Sequence, residues 1–289
     1  MDNALRQQVI ELENATRDDA EQIYTMAGKG TVRLDVEWFG GACLTVCQLV
    51  AGNAALNTLW GLGVNEAVTK EMLDTLVSRL AELEVTCSLH LAPVPGGDQV
   101  RRMLLERGFM AAGKFAMLRY SDPKVWRMPD DESAIGVRKL VAGETSLFAR
   151  LNAEGFGFSG PDAEISRSVI GRMSRAAGVD AYIAWIGDES IGQAMMISRE
   201  ASAGLYNAST LPRWRRRGVH TALIRRRLSD AVRAGAQLIY SRTPLGSDAQ
   251  RNLERNGFEV AYSSEQLVRP MGKLVEKGKE GKRKLANKF

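Results

Sequence analysis

Arg215-Arg216-Arg217-Gly218-Val219-His220-Thr221-Ala222-Leu223 is the stretch that decides how this chain is read. A strand-like run, Gly204-Leu205-Tyr206-Asn207-Ala208-Ser209-Thr210, precedes it, and an amphipathic helix is expected from Thr221 to about Ala234. The first N–H groups of a helix have no intrahelical partners and carry the positive end of the helix dipole, so they attract phosphate. Three arginines ahead of that helix add formal charge and forked donors. A basic, glycine-containing turn between strand and helix therefore reads as a pyrophosphate cradle.

Working outward, the chain repeats itself. Leu105-Glu106-Arg107-Gly108-Phe109 recurs with one inserted residue as Leu253-Glu254-Arg255-Asn256-Gly257-Phe258. Each copy follows a helix (Lys70 to Leu83; Thr221 to Ala234), a strand (Thr86 to Leu91; Gln237 to Arg242) and a turn-rich loop (Ala92 to Gly97; Pro244 to Ser247). Each is followed by a last strand, Phe115 to Tyr120 or Ser264 to Val268. The seam falls at Asp122 to Glu132, where Pro123, Pro129 and a run of acids favour a linker. Beyond it come a strand from Ile135 to Leu140, helices near Glu144 to Glu154 and Asp162 to Ala177, and strands Ala181 to Ile186 and Ser190 to Ile197. Gly187-Asp188-Glu189 is the hairpin turn between those two strands. The expected domains are residues 1–122, a linker at 123–132, residues 133–270, and a basic flexible tail at 271–289.

Composition narrows the function classes. The 289 residues suffice for two domains, and 45% are hydrophobic, enough for packed cores. Much of the net charge of +5 lies in the tail, so it is weak support for a nucleic-acid protein. The arginines at 213, 215, 216, 217, 225, 226 and 227 form the one candidate patch, and the last three read as the solvent face of a helix. Cys43, Cys47 and Cys87 are odd in number and lack a close histidine, which argues against a zinc site and for buried free thiols in a reducing cytoplasm. The N-terminus lacks the apolar core of a signal peptide, and no run is long and apolar enough to span a membrane. His90, alternating with apolar neighbours, reads as structural, and Ser209 has no histidine–aspartate system to make it a nucleophile.

These elements resemble the GNAT superfamily of acyl-CoA-dependent N-acyltransferases, over roughly residues 133 to 270. The family pattern Arg/Gln-x-x-Gly-x-Gly/Ala appears as Arg215-x-x-Gly218-x-His220, with His220 where a smaller residue is usual. The fold class this implies is α/β (α+β), a tandem GNAT fold in which each half has a mixed, mostly antiparallel sheet flanked by helices. The first half has Leu62-Gly63-Val64-Asn65-Glu66 at the corresponding turn, without the basic residues and with a carboxylate that would repel a diphosphate. It reads as a degenerate copy.

The resemblance implies acetyl-CoA as co-substrate and no metal. Ala208, Ser209 and Thr210 would pair their backbone with the pantetheine arm, and Arg215, Arg216, Arg217, Gly218, Val219, His220 and Thr221 would hold the pyrophosphate. Ser247 and Asn252 are further candidates for the cofactor, with helix capping as the competing reading. The implied reaction is direct attack by a primary amine on the thioester in a ternary complex. Candidates for the base are Glu200 and then Glu154, each weighed against a plain surface carboxylate. The tyrosine that protonates the leaving thiolate in many relatives is replaced by Leu253, which leaves Tyr262 or water. His220, in a phosphate cradle, is away from the chemistry. The expected acceptor is a small-molecule or peptide amine, with no membrane or nucleic-acid partner, in a cytoplasmic monomer or homodimer. The alternatives are a non-catalytic acyl-CoA-binding or regulatory protein, suggested by Leu253 and His220, and a nucleic-acid binder, suggested by the arginines.

Overall fold

A computed structural model of the protein describes residues 2–28, 34–123 and 134–272. In chain order the elements are α1 (Asn3–Ala27), β1 (Leu34–Phe39), β2 (Ala42–Cys47), β3 (Thr58–Trp60), α2 (Lys70–Leu83), β4 (Cys87–Leu91), α3 (Gly97–Glu106) and β5 (Met110–Tyr120). They continue as β6 (Gly136–Lys139), α4 (Thr145–Phe156), α5 (Pro161–Met173), β7 (Val179–Ile186), β8 (Glu189–Arg199), β9 (Ser202–Thr210), α6 (Val219–Arg233), β10 (Leu238–Pro244), α7 (Asp248–Arg255) and β11 (Phe258–Arg269). No element is read from the sequence within residues 3–27, yet α1 is 25 residues long. Its buried positions Val9, Leu12, Thr16, Ala20, Ile23 and Ala27 follow the helical period, but polar and small residues among them dilute the apolar signal.

The elements form two compact units, and neither is a contiguous half. Residues 2–21, 34–116 and 261–272 make the first; residues 22–28, 117–123 and 134–260 make the second. The expected division at 123–132 is corrected accordingly: the end of β5 belongs to the second unit and most of β11 to the first. Residues 124–132 of that segment, residue 133 and the tail from 273 onward lie outside the described residues.

In the first unit β1, β2 and β3 pair antiparallel, and β3 runs parallel to β4 through Thr58↔Ser88 and Leu59↔Leu89. β4 then pairs antiparallel with β11, from Leu91↔Glu265 to Cys87↔Arg269. Leu73, Leu76 and Leu80 form the stripe by which α2 enters a core with Leu44, Leu59, Leu89 and Leu104. The cysteines are free and buried, and burial pushes the Cys43 and Cys87 thiols up to about 12.

In the second unit β6, β7, β8 and β9 form an antiparallel meander, and β9 then pairs in parallel with β10. Residues 117–120 of β5 take the place beside β10. Gly192 of β8 allows α6 to close on this sheet. A Cβ there would lie 2.9 Å from both the Ser209 carbonyl oxygen and Val219 Cγ1, so any larger residue would push the first turn of α6 away.

Candidate active site

The site of the second unit starts from an interrupted sheet. β9 and β10 pair over only three positions, Ser202↔Leu238, Ala203↔Ile239 and Gly204↔Tyr240. β9 continues to Thr210 and β10 to Pro244, so the two strands separate beyond Gly204 and Tyr240. Ser241 Oγ donates to the Leu205 carbonyl at 2.8 Å just beyond the last pair. Tyr206 and Tyr240 stand edge to face there, with ring centroids 6.2 Å apart.

The wall formed by β9 is bulged. Met195 of β8 faces Tyr206 while Gln193 faces Ser209, so two residues, Asn207 and Ala208, oppose one. Asn207 has φ of +49°, a left-handed conformation that costs a non-glycine residue about 1 kcal/mol or more. Surrounding bonds hold it there. Gln193, fully buried, donates from Nε2 to the Asn207 carbonyl at 2.8 Å and to Ser209 Oγ at 3.0 Å. Asn152 of α4 donates to Asn207 Oδ1 at 2.9 Å. Arg227 of α6 donates from Nη1 to the carbonyls of Met195 at 3.0 Å and Tyr206 at 3.3 Å.

Two successive carbonyls, of Tyr206 and Asn207, are thus engaged on the β8 side. In a planar trans peptide the N–H lies opposite the carbonyl, so the next two N–H groups, of Asn207 and Ala208, turn towards the opening. In a regular strand successive groups alternate; the bulge places two donors together.

The opening leads to the basic turn. Gly218 is the N-cap of α6 with φ of +87°, and no side chain caps that end. A Cβ on Gly218 would meet only Ile135 Cδ1, at 3.8 Å, so the space before the helix is open. The leading N–H groups of α6 are the donors left without intrahelical partners. Arg216 and Arg217 are exposed beside them, and Arg217 lies over the Trp214 ring at 5.0 Å. Trp214 Nε1 in turn donates to Glu189 at 2.9 Å, which also pairs with Arg213. The arrangement offers fixed N–H donors and exposed cations to an anion.

The corresponding helix of the first unit, α2 after β3, is built differently. Its N-cap Thr69 accepts from the Met72 N–H at 3.1 Å, and Glu71 occupies the first turn. At that end a hydroxyl already accepts one N–H, and a carboxylate stands in the first turn.

No family model and no curated protein matches the sequence. Solved structures do match. A GCN5-related N-acetyltransferase from Kribbella flavida superposes with a TM-score of 0.61 at 13% identity, over 89% of this chain and 96% of that one. A tandem GNAT protein from the clavulanic acid biosynthesis pathway gives 0.59 at 11%, over 94% and 96%. A GCN5-related N-acetyltransferase from Sphaerobacter thermophilus gives 0.56 at 15%, over 80% and 76%. The fold is that of the GNAT acetyltransferases.

Within this GNAT fold the expected site residues separate into groups. Ala208, Thr210, Arg216, Arg217, Gly218, Val219, His220 and Thr221 line the opening or the turn. The Val219 side chain is buried, so only its backbone serves there. The Ser209 hydroxyl is committed, donating to the Leu151 carbonyl at 3.2 Å, and the Ser209 carbonyl lies beside Gly192 of β8. Arg215 is a brace: Nη2 donates to the Gly155 carbonyl at 2.9 Å, and Nε reaches the Thr210 carbonyl. Ser247 caps α7 by accepting from the Gln250 N–H at 3.2 Å, the competing reading of that residue. Asn252 reaches His220 Nδ1 at 3.3 Å and joins α7 to the start of α6. Burial first, and Arg227 second, hold His220 down at about 4, so it is neutral at pH 7.

Both acid–base candidates are corrected. Glu200 sits exposed in the turn between β8 and β9, at the paired end of β9 and away from the opening. Tyr262 is grouped with the first unit, where it is buried and donates to Glu13 at 2.7 Å, so its proton is committed to a structural bond. Glu154 pairs with Arg150 on the exposed side of α4. Leu253 is buried.

Arg227 is also corrected, from a solvent-facing cation to one only 2% exposed. It belongs with Asn152, Gln193 and Asn207, which the sequence reading passes over. Its position was legible, because Val219, Leu223, Arg227 and Ala231 recur every four residues along the buried stripe of α6.

No helix among the described residues is long and apolar enough to cross a membrane.

Proposed function

We propose that the second unit is an N-acetyltransferase that binds acetyl-CoA and delivers the acetyl group to a primary amine by direct attack. The observation that carries this reading is the uncapped, glycine-led N-terminus of α6 beside the opening between β9 and β10. The residues fit such a ligand: the leading N–H groups of α6, with Arg216 and Arg217, suit a pyrophosphate, and the outward backbone of Ala208 to Thr210 suits the amides of a pantetheine arm. The paired N–H groups of Asn207 and Ala208 suit an acyl oxygen.

The acceptor nitrogen must be neutral to attack. A lysine-like amine at about pH 7 is neutral in roughly one molecule in a few thousand, a handicap of about 4–5 kcal/mol. With Glu200 outside the opening, that handicap falls to desolvation, to water, or to an acceptor of lower pKa. Attack forms the C–N bond and moves the carbonyl electron pair onto oxygen; its return breaks the C–S bond and releases the thiolate. The nitrogen proton passes to solvent, and the thiolate takes its proton from solvent, since Leu253 supplies no acid.

Calorimetric titration with acetyl-CoA tests the reading. One site is expected in the native chain, and none in the Arg217→Glu/Gly218→Trp double variant, where a bulky side chain at a left-handed residue blocks the cradle. Unchanged affinity in a folded double variant would sink it. The second reading, an acyl-CoA-binding protein without turnover, is favoured by Leu253 where a phenol would serve; binding without transfer to any amine of a broad panel is its signature.

A further inference from the structure

Arg227 is a cation of the second unit that is only 2% exposed. A guanidinium is almost never fully buried without an ionic partner. Here Nε donates to the Leu223 carbonyl at 3.0 Å, and Nη1 to the carbonyls of Met195 and Tyr206. No carboxylate forms an ion pair with it among the described residues; Asp230, one turn on, pairs with Arg226 and Arg233. Burial pushes the group down to about 10, which leaves it charged at neutral pH. A methyl-terminated side chain of similar volume would fill the space more cheaply.

The charge sits at an informative place. Its acceptor, the Tyr206 carbonyl, belongs to the same peptide as the Asn207 N–H, one of the two donors the bulge turns into the opening. A cation at the carbonyl end draws electron density from that peptide and makes its N–H a stronger donor, and hydrogen bonds coupled through one group reinforce each other. Gln193 does the same, without charge, for the Asn207–Ala208 peptide.

We propose that Arg227 is a positioning residue for acyl transfer: a buried cation that, acting through the Tyr206–Asn207 peptide, both fixes the β9 bulge and polarises the Asn207 N–H, one of the pair that receives the acyl oxygen. The proposal rests on the acetyl-CoA reading of the same opening. Attack on a carbonyl places its electron pair on oxygen, and preorganised donors in a dry site are suited to that charge. The unpaired charge thereby has a role that a neutral side chain lacks.

Isotope-edited infrared spectroscopy of acetyl-CoA labelled with carbon-13 at the carbonyl, bound to the full chain, reads this polarisation without knowledge of the acceptor. The carbonyl stretch is expected to move to lower frequency on binding to the native protein. Arg227→Lys, which keeps the charge, should retain most of the shift. Arg227→Gln, which keeps a donor and loses the charge, should lose most of it while calorimetry still finds acetyl-CoA bound. Native protein should also prefer acetyl-CoA over S-ethyl-CoA, which lacks the carbonyl, by about tenfold, and Arg227→Gln should narrow that ratio. A full shift in Arg227→Gln would overturn the role of the charge. Binding to native protein without any shift would overturn the proposal with no variant needed and leave the acetyl-CoA reading standing. Absence of acetyl-CoA binding to native protein would remove both.

Discussion

Asn152 Nδ2 donates to Asn207 Oδ1 at 2.9 Å, joining the middle of α4 to the left-handed residue of the β9 bulge. Asn152 is 1% exposed, so its amide has no ready access to water as a substitute partner. The bond therefore does more than fasten a helix to a sheet. It holds, with Gln193 and Arg227, a strand conformation that the backbone would not choose alone. Asn152→Ala is expected to cost about 1–3 kcal/mol, read as a lower urea midpoint at unchanged slope. At position 207 glycine adopts the left-handed conformation freely and valine resists it. Asn207→Gly should therefore stay closer to native stability than Asn207→Val, and equal loss in the two would show that the conformation is unimportant.

His220 links stability to pH. Its folded pKa of about 4 is depressed from an ordinary 6.5, mainly by burial. The unfolded chain then binds the extra proton first as pH falls, so the contribution of a neutral His220 is complete above pH 6.5 and declines from there towards about pH 4. By pH 5 the loss is about 2 kcal/mol. Urea unfolding between pH 8 and pH 5 should show that decline, and His220→Gln should flatten it. An identical pH profile in the two proteins would mean that His220 is protonated as readily folded as unfolded.

The legibility of the chain varied with the range of the interactions. α2 runs from Lys70 to Leu83 as its sequence predicts, because the Thr69 cap, the Leu73–Leu76–Leu80 stripe and the left-handed Glu84 are all local. The turn before α6 is legible for the same reason: Gly218 and the arginines are neighbours. The bulge is not, because Asn152, Gln193 and Arg227 come from three separate elements and only the fold brings them to Asn207. The allocation of β5 and β11 is illegible too, since a final strand carries no mark of which unit it joins. Arg227 lies between: a run of three arginines suggests a solvated face, yet the four-residue spacing from Val219 puts the third among the buried positions.

Tyr262 gives a separable test of the catalytic assignment. Its hydroxyl donates to Glu13, a carboxylate that is 1% exposed, so Tyr262→Phe removes a bond to a buried acid. The expected cost is about 1–3 kcal/mol of stability. Acetyl-CoA affinity, measured well below the melting temperature, should not change. A variant of native stability that transfers or binds poorly would return Tyr262 to the active site.

Gly192 connects packing to the anion cradle most directly. A Cβ at this position approaches the Ser209 carbonyl oxygen and Val219 Cγ1, each at 2.9 Å. The carbonyl belongs to the wall of the opening and Val219 to the first turn of α6, so neither can move without disturbing the site. The backbone oxygen cannot rotate aside, and the valine is fixed in the core at 2% exposure. Gly192→Ala is therefore expected to cost about 1–3 kcal/mol of overpacking strain. It should also weaken acetyl-CoA binding although no ligand-facing side chain is altered. Gly187, at the exposed hairpin turn, has nothing within 4 Å of an added Cβ, but its φ of +53° makes alanine strained there as well. Gly187→Ala is thus the matched control: a comparable loss of stability with acetyl-CoA affinity kept. If the two variants lose affinity alike, the effect is general destabilisation, and the seat of α6 against β8 does not set the cradle.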